Sequence, residues 1–162
     1  MAFQMPKQLE ELWCWAAVSV AVDQYFAPSS TLTQCTVAGL VFNRECCAES
    51  GPCNRATSLA DALDRVGHRH ARLERPLDFG EIRSEIDAGR PVCVRIGWLG
   101  GGGHFVVIHG YWMSVSGVPH VDVADPLFPS GRWNYDDFVQ AYQNGEVANG
   151  GGRWTHTYLL SS

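Results

Sequence analysis

Residues 13–15 read Trp-Cys-Trp, a lone thiol between two indoles at the first turn of an apolar segment, QLEELWCWAAVSV over residues 8–20. A thiol at a helix N-terminus sits at the positive end of the helix dipole, beside unpaired backbone N–H groups, and loses its proton more readily there. A thiolate becomes a catalyst only with a base or imidazolium beside it and with donors for the oxyanion formed when it attacks a carbonyl. Gln8, upstream in the segment that enters the helix, carries an amide able to donate to the same oxyanion as the backbone N–H of Cys14. Of the six histidines, His104 is the best placed imidazole, because it opens the strand-like stretch HFVVIHGYW directly after the glycine run Gly100–Gly103. His109 falls on the opposite face by strand alternation. His120 has a weaker context, and His68, His70 and His156 suit solvent-facing or structural positions. A third group must fix the tautomer and orientation of the imidazole. Asp125 ends the stretch VDVADP and shares a face with Val121 and Val123, whereas Asp122 points the other way and is the runner-up.

Each of these residues also has an ordinary reading. A cysteine in an apolar helix is usually packing, a histidine at a strand start is usually structural, and Asp-Pro after a strand is usually a turn. The glycine run lacks a following Lys-Ser/Thr, which argues against a phosphate loop. Gln, Cys, His and Asp nevertheless each fall at the right end of a suitable element, and together they favour chemistry over four separate coincidences.

The elements that must position them follow from periodicity and punctuation. Leu12 to about Tyr25 reads as a buried helix, apolar on nearly every face and ended before Pro28. A second helix is expected over Thr33–Phe42 and a third over about Ser58–Val66, with Gly67 as its stop. A fourth begins at Asp78, whose spacing to Glu81 is that of a capping box, and ends at Gly89 before Pro91. Strands are expected over Val92–Trp98, His104–Trp112, Pro119–Asp125 and Arg153–Leu160, with a short helix over Tyr135–Tyr142. Helices first and an antiparallel sheet second is an α+β layout, and 162 residues without a visible boundary or repeat suit a single domain over residues 1–162.

A net charge of −5, with twelve Lys and Arg scattered along the chain, argues against nucleic acid or an anionic membrane as partner. The longest apolar stretch, Leu12–Val22, is about half of the ~20 residues that span a bilayer. It follows Glu10 and Glu11 rather than a basic region, so it does not read as a signal peptide. Export by a specialised secretion system would leave no mark of this kind.

At these residues the sequence resembles the papain-like cysteine peptidases. QLEELWCWAA is similar to their Gln-x5-Cys-Trp signature and GGHFVVIHGY to their histidine strand, with Gly110-Tyr111 at its end; Asp125 matches the third position, Asn or Asp in different members. The WCWAA form and the compact length are most similar to bacterial effector peptidases such as those injected by plant pathogens, with bacteriocin-leader-processing peptidase domains as close cousins. The resemblance implies a papain-like fold with a helical half and a sheet half. It also implies Cys14 as nucleophile, His104 as base, Asp125 as its orienter, Gln8 as oxyanion donor, no cofactor, and a protein substrate in another cell. The interval from Cys14 to His104 is well short of the ~130–150 residues of the papain and cathepsin type, so shortened cleft loops are expected. No pro-segment is expected before the motif, so control would come from compartment, a partner or an immunity protein.

Cys35, Cys46, Cys47 and Cys53 crowd one segment and suggest disulfides. Adjacent Cys46 and Cys47 do not easily bond each other, which leaves pairings with Cys35 and Cys53. Zinc, with these thiols or His68 and His70, is the alternative, although the paired C-x2-C spacing of a zinc module is missing. Two rival functions stay open at this point: a thiol amidase acting on peptidoglycan, and a non-catalytic binding module in which Cys14 is core. Trp98, Tyr111, Trp112 and Trp133 are candidates for a substrate pocket, and Gln4 for the place of Gln8.

Overall fold

The computed structural model describes residues 1–144 and 150–162. Its first regular element, α1 (Cys14–Phe26), is buried continuously from Cys14 to Asp23, as a helix apolar on all sides must be. Helix α2 (Gln34–Phe42) opens on a Thr33–Thr36 capping box and α3 (Leu59–Val66) closes on Gly67 in the left-handed conformation, φ 81°. The Asp78–Glu81 capping box opens α4 (Phe79–Asp87) where the sequence places it. Helix α5 (Tyr135–Ala141) starts on the side-chain cap of Asn134.

Among the described residues, six antiparallel strands form one sheet in the order β1-β6-β2-β3-β4-β5. They are β1 (Arg69–Leu73), β2 (Val92–Trp98), β3 (Gly103–Met113), β4 (Pro119–Ala124), β5 (Gly131–Asn134) and β6 (Gly152–Leu160). The α+β layout stands, with a helical N-terminal half and a sheet-forming C-terminal half. Both edge strands, β1 and β5, are additions to the sequence reading. They are short and largely half-exposed, so they lack the apolar alternation that marks the inner strands.

Two cores lie on the two faces of the sheet. On one, Cys93, Phe105, Val107, Tyr158 and Leu160 pack under α1, α2 and α3. On the other, Val94, Ile96, Val106, Ile108, Val121 and Val123 pack with Ile82 of α4 and Phe138 and Tyr142 at α5. Glycine is required in the β2–β3 turn, where Gly101 and Gly102 take φ values of 97° and 82°. That turn reverses the chain and delivers His104 opposite Ile96.

Candidate active site

Cys14 is the first residue of α1, preceded by Trp13 as N-cap with no side-chain capping bond. The N–H of Cys14 therefore belongs to the first turn, whose donors have no acceptor inside the helix. Its side chain is 8% exposed and opens on a cleft of about 330 Å³ that it shares with Gln8, Trp98 and His104. The residues on either side of the thiol are both buried, and Trp15 also lines the cleft. Trp13 Nε1 donates to the carbonyl of Cys53 at 2.8 Å and Trp15 Nε1 to that of Arg55 at 3.0 Å. Asn54 Oδ1 accepts from the Leu12 N–H at 3.0 Å, and Ser50 Oγ donates to the Glu10 carboxylate. One short loop thus grips the chain at residues 10, 12, 13 and 15.

That loop is stapled. Cys35 is bridged to Cys47 and Cys46 to Cys53. Cys46 and Cys53 are buried, while Cys47 is exposed. The zinc alternative loses its thiols to these bridges, and His68 is turned instead toward Asp23 and the Ser161 carbonyl. Cys93 is unbridged like Cys14, but burial pushes its thiol far up, away from the thiolate.

His104 lies at the start of β3 and is 3% exposed. Its Nε2 is 2.8 Å from Asp125 Oδ1, which leaves Nδ1 for the cleft and Cys14. Trp98 stacks on the ring at 5.8 Å and 17°, and Phe128 meets it edge-on at 5.8 Å and 84°. Burial alone would disfavour the imidazolium, but the hydrogen bond to Asp125, contact with Cys14 and the charges of both raise its pKa to about 9. For Asp125, burial opposes the charge, and the His104 bond and charge, the Tyr142 hydroxyl and a backbone N–H together hold it below the ordinary value. Its Oδ1 also accepts from the N–H groups of Leu127 (2.7 Å) and Phe128 (2.9 Å), and Oδ2 accepts from Tyr142 Oη at 2.6 Å. Burial first, and the neighbouring carboxylate second, push the Tyr142 phenol well up, so it remains a donor.

Gln8 reaches the same cleft, but its Nε2 donates to the carbonyls of Glu10 (3.0 Å) and Glu11 (2.7 Å), and its buried Oε1 has no partner among the described residues. The backbone N–H of Gln8 donates to Pro126 O at 2.9 Å, and Lys7 Nζ donates to the carbonyls of Leu127 and Phe128. The entry segment is thereby zipped to the turn that carries Asp125.

The other sequence candidates are elsewhere. Asp122 forms a two-bond pair with Arg132, away from His104. His109 stacks on Phe3, and His120 bonds the Val118 carbonyl. Gln4 lines a separate cavity beside Tyr25 and Pro28. Of the four aromatics named for a pocket only Trp98 lines the cleft; Tyr111 bonds Asp87, Trp112 packs against His120, and Trp133 packs against Tyr142. Sequence reasoning missed Phe128 and Tyr142. The turn at Asp125-Pro126 is a legible signal for the first; nothing local marks the second. A protein family described as "papain-like cysteine protease AvrRpt2" matches residues 1–143. No curated protein matches the chain.

Proposed function

The chain belongs to the papain-like cysteine protease AvrRpt2 family and is a cysteine endopeptidase acting on protein, and we propose that Cys14, His104, Asp125 and Gln8 carry its reaction. The reading rests on one arrangement: a single imidazole with a buried carboxylate on Nε2 and the thiol-bearing cleft on its other side. Cys14 as thiolate, paired with the His104 imidazolium, attacks the substrate carbonyl carbon. The oxyanion is received by the N–H of Cys14 and by Gln8 Nε2, which exchanges one of its present carbonyl acceptors for it. As the C–N bond breaks, His104 passes its proton to the leaving amine. The thioester that remains is hydrolysed by a water that gives a proton to His104 as its oxygen attacks; the C–S bond breaks, the acid leaves, and the thiolate–imidazolium pair is restored. Asp125 holds the ring throughout, and its donors leave it no freedom to turn away.

The substrate is a protein of another cell, reached by secretion or delivery. The support for this is the paired disulfides, which persist in an oxidising compartment. The test is the alkylation rate of Cys14 by iodoacetamide from pH 4 to 9, in wild type and His104→Ala. It is paired with cleavage of a denatured-protein mixture by wild type and Cys14→Ala. Fast labelling well below the free-thiol pKa of ~8.5, lost in His104→Ala, with proteolysis lost in Cys14→Ala, is expected. Labelling that follows an ordinary thiol in both proteins overturns the assignment of the pair. Release of fragments from purified cell wall, with none from protein, overturns the substrate class.

A further inference from the structure

The segment that carries Gln8 has no regular secondary structure, yet an oxyanion donor must be placed to within a fraction of an ångström. We propose that Gln34 is the positioning residue that sets Gln8, an inference that rests on the oxyanion role of Gln8 given above. Gln34 is the first residue of α2 and is 4% exposed. Its side chain leaves the helix and runs along the entry segment with both ends of the amide satisfied. Oε1 accepts from the Leu9 N–H at 2.9 Å, and Nε2 donates to the Lys7 carbonyl at 2.7 Å. These are the backbone groups of the two residues that flank Gln8.

The side-chain amide therefore stands in for a neighbouring strand on one edge of the segment. On the other edge, the Gln8 N–H bonds to Pro126 O. Gln8 is caught between a helix of the thiol-bearing half and the turn of Asp125. A buried primary amide is costly unless both ends are paired, so this geometry admits few other residues.

Gln34 itself has little freedom. Thr33 before it makes the reciprocal capping bonds with Thr36, and Cys35 after it is bridged to Cys47. Three consecutive residues thus fix the first turn of α2, and the middle one reaches the entry segment. Gln34 touches neither Cys14 nor His104 through any hydrogen bond; it acts through the peptide groups around Gln8.

The experiment is a double-mutant cycle on a peptide substrate with Gln34→Met, which keeps length and removes both hydrogen bonds, and Gln8→Ala. Gln34→Met is expected to lower kcat by about tenfold, less than the 10²–10³ that outright loss of an oxyanion donor costs, with KM changed less than about twofold. In the Gln8→Ala background the same substitution should cost less than about twofold. Alkylation of Cys14 by iodoacetamide, a displacement that forms no oxyanion, should stay at the wild-type rate and pH profile in Gln34→Met. Equal losses with and without Gln8, or slowed alkylation, would show a general structural role and overturn the proposal. So would an unchanged kcat in Gln34→Met. Full activity in Gln8→Ala alone, measured with Gln34 intact, overturns the underlying reading of Gln8 and is distinguishable from the other failures. Gln34→Glu, which keeps the acceptor for Leu9 and loses the donor to Lys7, repeats the cycle if the methionine variant does not fold.

Discussion

The two halves of the site are held by different means. Cys14 and Gln8 come from a chain that is irregular up to residue 13 and then becomes a helix. Their placement depends on side-chain and covalent braces: the stapled loop gripping residues 10–15 and the Gln34 amide around Gln8. His104 and Asp125 stand at the ends of paired strands, where sheet register already fixes the backbone. There only the orientation of one carboxylate and one ring is left to settle. A buried hydroxyl, two turn N–H groups and two aromatic faces settle it. Irregular backbone needs braces from a distance; regular backbone needs only a lock on the side chain.

The largest break in this comparison is expected from Asp125→Asn, which leaves the sheet intact and removes the charge on its lock. kcat/KM should fall by at least about 10²-fold. The pH profile carries a second signature. His104 has its pKa raised from 6.5 to about 9, so its charge contributes stability fully below about pH 6.5 and loses it as pH rises through 9. Asp125 is depressed, so its contribution is present above the ordinary value near 3.8 and lost as pH falls through the lower folded value. In the variant the alkaline limb of kcat/KM should move below 9, and the gap in melting temperature to wild type should narrow as pH climbs from 6.5 to 9. An alkaline limb still at 9 would mean that the sheet half is not what charges the histidine.

On the helical side the matching test is removal of the buried bridge by Cys46→Ala with Cys53→Ala. The bridged residues are 7 apart in sequence, and closing so short a loop stabilises by about 2–3 kcal/mol. Denaturant melts should show that loss. Slower alkylation of Cys14 should accompany it, because the carbonyls of Cys53 and Arg55 that hold Trp13 and Trp15 are released from their staple. Loss of stability with unchanged alkylation would reduce the bridge to a general staple and remove half of the contrast.

A smaller effect is expected from Tyr142→Phe. Only one oxygen is lost, but it leaves Asp125 Oδ2 buried without its donor, a deficit of about 1–3 kcal/mol. With the Leu127 and Phe128 N–H groups still on Oδ1, the carboxylate keeps its place in part, so kcat/KM should fall roughly tenfold rather than 10²-fold. KM should hold. A drop confined to KM would place Tyr142 in substrate binding instead of behind the carboxylate.

What was legible in the sequence divides along the same line. Cys14, His104 and Asp125 are legible as candidates because each stands at an element end that local signals mark: an apolar helix start, a glycine run, an Asp-Pro turn; Gln8 lies in irregular chain and is legible only from its place upstream of the thiol. Helix and inner-strand bounds fall within a residue or two of expectation for the same reason. Tyr142 and Gln34 are not visible. The first meets Asp125 from 17 residues away, and the second meets Lys7 and Leu9 from 27 and 25. Periodicity reports which face is apolar, and at the end of YDDFVQAY it reports a core tyrosine with no hint of its hydroxyl's partner. The edge strands escaped because neither has a fully buried residue, and RHARL and GRWN offer only two apolar side chains and one, too few for a period to register.

The smallest expected effect belongs to a residue that serves neither brace nor lock. Glu81 closes the capping box of α4 by accepting from the Asp78 N–H, and Arg75 forks onto both of its oxygens. These bonds, that to Arg75 first, hold its pKa near 2, against 4.5 for a free glutamate. The pair is solvent-facing, with side chains 52% and 37% exposed, so most of that shift is screened from stability. Glu81→Gln should cost about 0.5–1 kcal/mol, the worth of a weakened cap. The deficit against wild type should be full above pH 4.5 and vanish as pH falls through about 2, where the native carboxylate is itself protonated. Neither kcat nor the pH profile should move, because α4 packs beneath the sheet through Ile82 and touches no part of the cleft. A change in kcat with this variant would mean that the sheet transmits strain from α4 to His104, and that register alone does not isolate the lock from the rest of its half.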